Sequence, residues 1–354
     1  MSKTADLPER TVEVIDSLFE TAGLARNLRG RPGGVTRRMR QKQATPEELS
    51  GPAPVPTISA NGVQLLRVTA WDKPARQGAP WLWHGFSTRK GGLSRAYCAE
   101  DVQGELNLGF TAADDRETVG GNRRLLVEAV TGDPAKPLVT LRQIHSSVVV
   151  VGVSGDSRRQ TPWKGDGLMT AEPGILLGIQ TADCIPVLVA DGKRRVVAAF
   201  HAGWRGTVKR IVESGIGRMR LEFGSRPEDL TAAIGPGASV CCYAVGEEVL
   251  SSFESQFAYA SELFHEVYDT DSVRTKYPML FLTQRAPGHS PIGPNLHVDL
   301  IEANRRQLMD AGLKPGSIHT TGGCTNCHRE LFFSHRASQG YAGRMMSVIG
   351  IRSE

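Results

Sequence analysis

Residues Ile175–His201 read ILLGIQTADCIPVLVADGKRRVVAAFH. Three short apolar runs stand in this stretch, Ile175–Gln180, Ile185–Ala190 and Arg195–Phe200, each of strand length and rich in Ile, Leu and Val. The first two are separated by Thr181-Ala182-Asp183-Cys184, and the third delivers His201 at its end. Gly203 to Gly206 reads as a turn and Thr207 to Phe223 as a helix. Cys184 and His201 are therefore expected at the ends of neighbouring strands. Such strands run about 4.8 Å apart, so side chains at matching ends can share a small ion. Upstream, the apolar approach Leu138–Ile144 ends in His145, a third functional side chain placed where a strand gives way to a turn.

From Thr57 onward, short apolar runs alternate with Gly and Pro, the texture of a mixed α/β domain. The 354 residues, 40% hydrophobic, are enough for one large domain or two smaller ones. Residues 1–55 read as an appendage. Val12, Ile15, Phe19 and Ala22 have helical spacing within Pro8–Ala22, and Gly51–Pro56 reads as a linker. Seven basic residues and no acidic one lie between Arg26 and Lys42; without those seven the formal charge of +5 becomes −2. The basic excess thus belongs to one segment, either a flexible tail or an arm for an anionic partner, and argues against nucleic acid as the main ligand. No apolar run approaches membrane-spanning length, and Met1–Asp6 enters no signal-like apolar region, so a cytoplasmic protein is expected. Six irregularly placed cysteines do not make a disulfide scaffold.

Imidazole and thiolate are preferred zinc ligands, and three protein ligands with a fourth position left to water is the arrangement of a catalytic zinc. By residue type and spacing alone, however, His145 and His201 read equally as partly buried histidines, and Cys184 as a small core residue.

The surrounding words narrow this choice. Gln143-Ile144-His145, TADCIPV over Thr181–Val187 and HAGWRG over His201–Gly206 resemble the YfiH-like family, also called the laccase-domain or polyphenol-oxidase-like family. Further matches are HGFSTRKGG over His84–Gly92, Asn107-Leu108-Gly109, Asn122-Arg123-Arg124, IGPG over Ile234–Gly237, CCYAVG over Cys241–Gly246 and FFSHR over Phe332–Arg336. In that order they cover residue 84 to the C-terminus. The resemblance implies an α+β fold, mixed β-sheets packed together and flanked by helices, in a single catalytic domain over 56–354. It implies one Zn2+ held by His145, Cys184 and His201. It also implies phosphorolysis of adenosine, inosine, guanosine and methylthioadenosine, with deamination of adenosine, so that purine nucleosides and phosphate are the partners. The first fifty-odd residues, and much of Met279–Pro294, which reads as a loop insertion, lie outside the match.

Several residues are candidates for the remaining roles. Arg123 is expected to gather phosphate or stabilise the departing base, against a surface salt bridge as the plainer reading. Arg205 stands just after His201, where unpaired N–H groups already attract anions, and it reads equally as a tie for the HAGWRG turn; Arg336 and Asn107 are weaker substrate-binding candidates. Asp166, in Gly165-Asp166-Gly167, reads as a turn aspartate or a proton shuttle, and Asp183 as a binder of backbone amides. Cys324-Thr-Asn-Cys327-His328 lacks a second Cys-x-x-Cys and reads as neither haem attachment nor a metal site; Cys241-Cys242 reads as buried packing. Two rival chemistries stay open. One is a cysteine hydrolase using Cys184 and His201. The other is a copper-dependent polyphenol oxidase, against which stand the missing axial Met and the absence of any His-x-His pair.

Overall fold

The computed structural model describes residues 42–73, 78–98, 104–159, 161–268 and 294–353. The helix expected over 8–22, the basic residues 26–40 and all but Pro294 of the segment 279–294 lie outside the described residues.

The runs of the central stretch are strands, and both of their faces are covered. Leu176–Thr181 forms β9, Ile185–Asp191 β10 and Val196–Ala202 β11, and both β10 and β11 are buried over their whole length. That explains why they read as continuous apolar runs and not as an alternation of apolar and polar residues. β10 and β11 pair antiparallel, with Val187 opposite Phe200 and Pro186 opposite His201.

These strands belong to two six-stranded mixed sheets packed face to face. The first has the order β15 (Ile318–Thr320), β12 (Leu230–Ile234), β10, β11, β8 (Gly167–Thr170) and β7 (Val149–Val151). The second has the order β2 (Thr57–Ile58), β3 (Gln64–Leu66), β4 (Leu82–Ser87), β16 (Met345–Ile351), β9 and β6 (Leu138–Thr140). Between them Leu188, Ala190, Val197 and Ala199 meet Leu177, Ile179 and Ile349. The alternate residues Val187, Val189, Val196, Ala198 and Phe200 point the other way, into a second core with the helices Ile211–Phe223, Glu247–Glu254 and Leu300–Asp310. This is the period-two partition that a strand dictates. On the outer face of the second sheet, Leu126, Val127 and Val130 of helix Arg116–Thr131 cover Leu176, Met346 and Val348. Asp115 caps that helix by accepting from the Thr118 amide, and Gly132 ends it in the left-handed region. A third, small sheet joins β1 (Lys42–Ala44) in parallel to β13 (Phe264–Val267), which pairs antiparallel with β14 (Asn295–Val298). The architecture is α+β. No helix among the described residues is long and apolar enough to cross a membrane.

The single helix expected over Thr207–Phe223 is two, Trp204–Val208 and Ile211–Phe223, broken where Arg210 takes φ 57°. Tertiary contacts hold the break. The Arg210 guanidinium donates to Glu213 at 2.5 Å and to the Gln256 carbonyl at 2.6 Å, and it lies over the Phe257 ring.

His84, on β4, is 1% exposed and stacks edge-on against Trp71. Its Nε2 accepts from the Val68 amide at 3.0 Å, which requires a neutral ring. Burial, helped by the nearby Arg67 charge, pushes it down to about 3. The approach of Asp72 at 3.8 Å is therefore not an ion pair at neutral pH. Between its ordinary 6.5 and about 3, the unfolded chain binds a proton here that the folded chain does not. His84 thus contributes stability in full above pH 6.5 and loses it as the pH falls through that window, by about 1.4 kcal/mol per pH unit. Urea unfolding of the protein and of His84→Gln across that range is expected to differ in slope by this amount; parallel slopes would refute it.

Candidate functional site

Three loop ends meet at one edge of the paired sheets. The loop after β6 carries His145 in the left-handed region at φ 58°. Its conformation is set by Asp166, which precedes β8 and is fully buried. The amides of Ile144, His145 and Ser146 all donate to the Asp166 carboxylate, at 3.2, 3.0 and 2.6 Å, and the Ser146 hydroxyl donates at 2.7 Å. The same carboxylate accepts from His201 Nδ1 at 2.8 Å, while the Asp166 carbonyl accepts from the His201 amide. One side chain therefore shapes the His145 turn and orients the His201 ring. With Nδ1 given to the Asp166 carboxylate, Nε2 is the His201 ring nitrogen left for the centre of the site, where either a proton or a metal ion can occupy it.

Cys184 leads into β10 from the tight turn Thr181–Cys184, in which Asp183 has φ 91°. Asp183 is clamped on three sides. Its carboxylate accepts from the Thr325 hydroxyl and the Arg336 amide, both at 2.7 Å, and its carbonyl accepts from the Ala238 amide at 2.8 Å. Its side chain is thus engaged away from the chemistry.

Ligand-capable atoms of His145, Cys184 and His201 lie within 4.8 Å of one another. His145 is exposed, Cys184 half-buried and His201 buried, so the group opens to solvent on the His145 side. Gly203 packs closely against the group, because a Cβ there would stand 2.8 Å from Cys184 Sγ and 3.2 Å from His145 Cδ2. Burial opposes a Cys184 thiolate, but the His201 and His145 rings outweigh it and bring the thiol down to about 6. Burial likewise opposes a proton on His201, and the Cys184 sulfur and Asp166 outweigh it, raising the ring to about 9. For Asp166, burial is overcome by the His201 and Ser146 hydrogen bonds, leaving it ionised down to about 2. Two imidazoles and a thiol held toward thiolate suit a thiophilic divalent ion. Gly203→Ala is expected to push Cys184 and His145 apart, weakening metal binding and lowering turnover by about 10²-fold, the rate effect of a 1 Å misplacement; unchanged metal affinity in competition with a chelator would contradict that.

A cleft of about 410 Å³ opens over these residues, walled by Leu141, Gln143, Gln180, Thr181, His335 and Arg344. Its volume is of the size that takes a small organic ligand. Gln143 and Gln180 brace one wall by donating to and accepting from each other, at 2.8 Å in both directions. His335 and Arg344 escaped attention in the sequence, although His335 lies inside the FFSHR word.

The other candidates are placed differently. Asn107 is fully buried and consumed by structure. Its amide donates to Gly109 O and Asp114, and its carbonyl accepts from the Gly109 and Arg344 amides, so it positions Arg344 without facing the cleft. Arg123 donates from Nε to Leu108 O at 2.9 Å and lies over the Phe110 ring; burial and the neighbouring Arg116 lower it to about 10. Arg205 lies over the ring of its neighbour Trp204. Arg336 donates to Ala244 O and covers the Tyr243 ring. None of these three is among the residues walling the cleft.

The chain matches known proteins over most of its length. The family described as multi-copper polyphenol oxidoreductase laccase matches residues 83–352. A purine nucleoside phosphorylase of Deinococcus radiodurans is 36% identical over 296 residues, 83% of this chain and 95% of the relative. One from Bacteroides thetaiotaomicron is 34% identical over 273 residues, 76% and 91% of the two chains. An adenosine deaminase, RL5, from an unknown prokaryotic organism is 29% identical over 75% of this chain and 92% of its own. The crystal structure of the Bacillus licheniformis hypothetical protein YfiH superposes with a TM-score of 0.66 at 30% identity, covering 84% of this chain and 99% of that one.

Proposed function

The chain belongs to the laccase-domain, YfiH-like family, and from that premise we propose a zinc-dependent purine nucleoside phosphorylase that also deaminates adenosine. The relatives support an enzyme acting on purine nucleosides. The observation that carries the finer reading is the convergence of His145, Cys184 and His201 within 4.8 Å beside the cleft.

In this reading His145, Cys184 and His201 hold one zinc ion. When bound, zinc supplies Lewis acidity and a coordination position open to a small ligand. The remaining work belongs to the protein. Asp166 keeps the His201 ring in its ligating tautomer and is not itself a proton shuttle, because both of its oxygens are already occupied by donors. His335 is the walling imidazole outside the ligand set, and we assign it the proton exchange with the substrate. Arg344, anchored by the Ala342 and Gly343 carbonyls, offers its guanidinium to the phosphate that displaces the purine from C1′ of the ribose. Arg123 supports the segment Leu108–Phe110 beside it. In this reading the activity resides in residues 56–354 of a cytoplasmic protein.

One observation favours a second reading. Cys184, His201 and Asp166 line up as thiol, imidazole and carboxylate, the order of a cysteine hydrolase. Against it stand His145, which such an enzyme does not need, and Gly203, whose missing side chain lets both ring and sulfur approach. A copper oxidase is disfavoured by the donor set: among the described residues one group joins two histidines with a cysteine, and no methionine is among those lining the cleft.

The purified chain should be incubated with adenosine or inosine and phosphate, before and after chelation. Free base, ribose 1-phosphate and, from adenosine, ammonia are expected, with all three lost on chelation and restored by zinc. Turnover that survives metal removal but falls to a thiol alkylator would instead support the hydrolase.

A further inference from the structure

Cys241-Cys242 and Cys324-x-x-Cys327, read from sequence as packing and as half a motif, form one cluster. The fold supplies the missing half from a distant turn. A parallel bridge joins Gly237 to Cys324, and the Thr325 amide donates to Gly237 O at 3.0 Å. Opposite it, the Cys242 and Tyr243 amides both donate to Ser239 O at 2.9 Å, folding that segment into a tight turn. The two turns aim their thiols at one point. Cys327 Sγ lies 3.5 Å from Cys241 Sγ and 3.4 Å from Cys242 Sγ, and the four sulfur atoms all lie within 4.8 Å of one another. Cys241 and Cys324 are buried, Cys242 is half-buried and Cys327 exposed.

We propose that Cys241, Cys242, Cys324 and Cys327 bind one structural zinc ion, separate from the His145–Cys184–His201 centre. Four sulfurs at about 2.3 Å from a tetrahedral zinc stand roughly 3.8 Å apart, and the observed spacing brackets that figure. A disulfide would need sulfurs about 2.05 Å apart. An iron–sulfur cluster spreads its cysteines over several irons, whereas these four converge on a space for one ion. The Ser239 amide points at Cys324 Sγ from 3.5 Å, an outer hydrogen bond of the kind that supports a metal-bound thiolate. Four protonated thiols gain little from such packing, since the S–H group is a weak donor and sulfur a weak acceptor.

The ion would act as a staple behind the active site. Each of the two turns it joins holds Asp183 from one side, the first through Ala238 and the second through Thr325. Asp183 adjoins Cys184 and has φ 91°, so its turn depends on that clamp.

Metal content of the full chain, purified under reducing conditions, tests the assignment. Cys324→Ser/Cys327→Ser is expected to hold one zinc fewer per chain than the unaltered protein, and Cys184→Ser to lose a different one. If the catalytic-zinc reading alone fails, the unaltered protein carries one zinc, which the Cys324/Cys327 variant lacks. Should that variant not fold, alkylation of the unaltered protein decides the matter. The four cysteines are expected to resist iodoacetamide until a chelator is added. Equal zinc in variant and parent, four thiols reactive without chelation, or an intact mass lighter by the hydrogens of a disulfide would each overturn the proposal.

Discussion

Cys184→Ser is expected to lose one equivalent of zinc and to lower nucleoside turnover by roughly 10³-fold or more, the scale seen when one member of a concerted catalytic set is removed. The cause is the ligand's acidity. The Cys184 thiol is brought down to about 6 by the His201 and His145 rings against the effect of burial, so the ligating anion is favoured at neutral pH. A serine hydroxyl has no accessible anion there and is a poor partner for a thiophilic ion. The same substitution would silence a cysteine hydrolase, so activity alone does not discriminate. Metal content does: a hydrolase variant would keep whatever zinc its parent had.

Asp166→Asn is the second large effect, a loss of about 10–100-fold in metal affinity or turnover, as expected for the carboxylate partner of a ligating histidine. The carboxylate accepts from three successive amides, a hydroxyl and His201 Nδ1. An asparagine has one acceptor oxygen and a donor NH2. Whichever way it is turned, a donor faces donors in a fully buried place, at about 1–3 kcal/mol. Stability and zinc affinity should therefore fall together, read by urea unfolding and by competition with a chromogenic chelator. A variant that loses stability while keeping its zinc affinity would reduce Asp166 to a turn residue.

Much of this was legible in the chain. β9, β10 and β11 announced themselves as apolar runs because both of their faces are covered, and the turn words between them located Cys184 and His201. Asp166 was harder, since Gly-Asp-Gly is also what an ordinary turn looks like. Gly167 is there for close approach, however: a Cβ at that position would strike Val149 and Phe200. The break at Arg210 depends on Gln256 and Phe257, 46 and 47 residues downstream, which no local pattern reports. The fold lays Arg336 over the ring of Tyr243, a partner 93 residues upstream that nothing beside it in the chain reports. The four-cysteine cluster was hidden for the same reason. Its halves are distant in sequence, and only the bridge between Gly237 and Cys324 brings them together.

A crystal of the active protein, with anomalous differences collected on both sides of the zinc edge, tests the account most directly. A zinc peak is expected within bonding distance of His201 Nε2, Cys184 Sγ and a ring nitrogen of His145. An active crystal with no metal density among those three side chains, and Cys184 Sγ free to react, would contradict it.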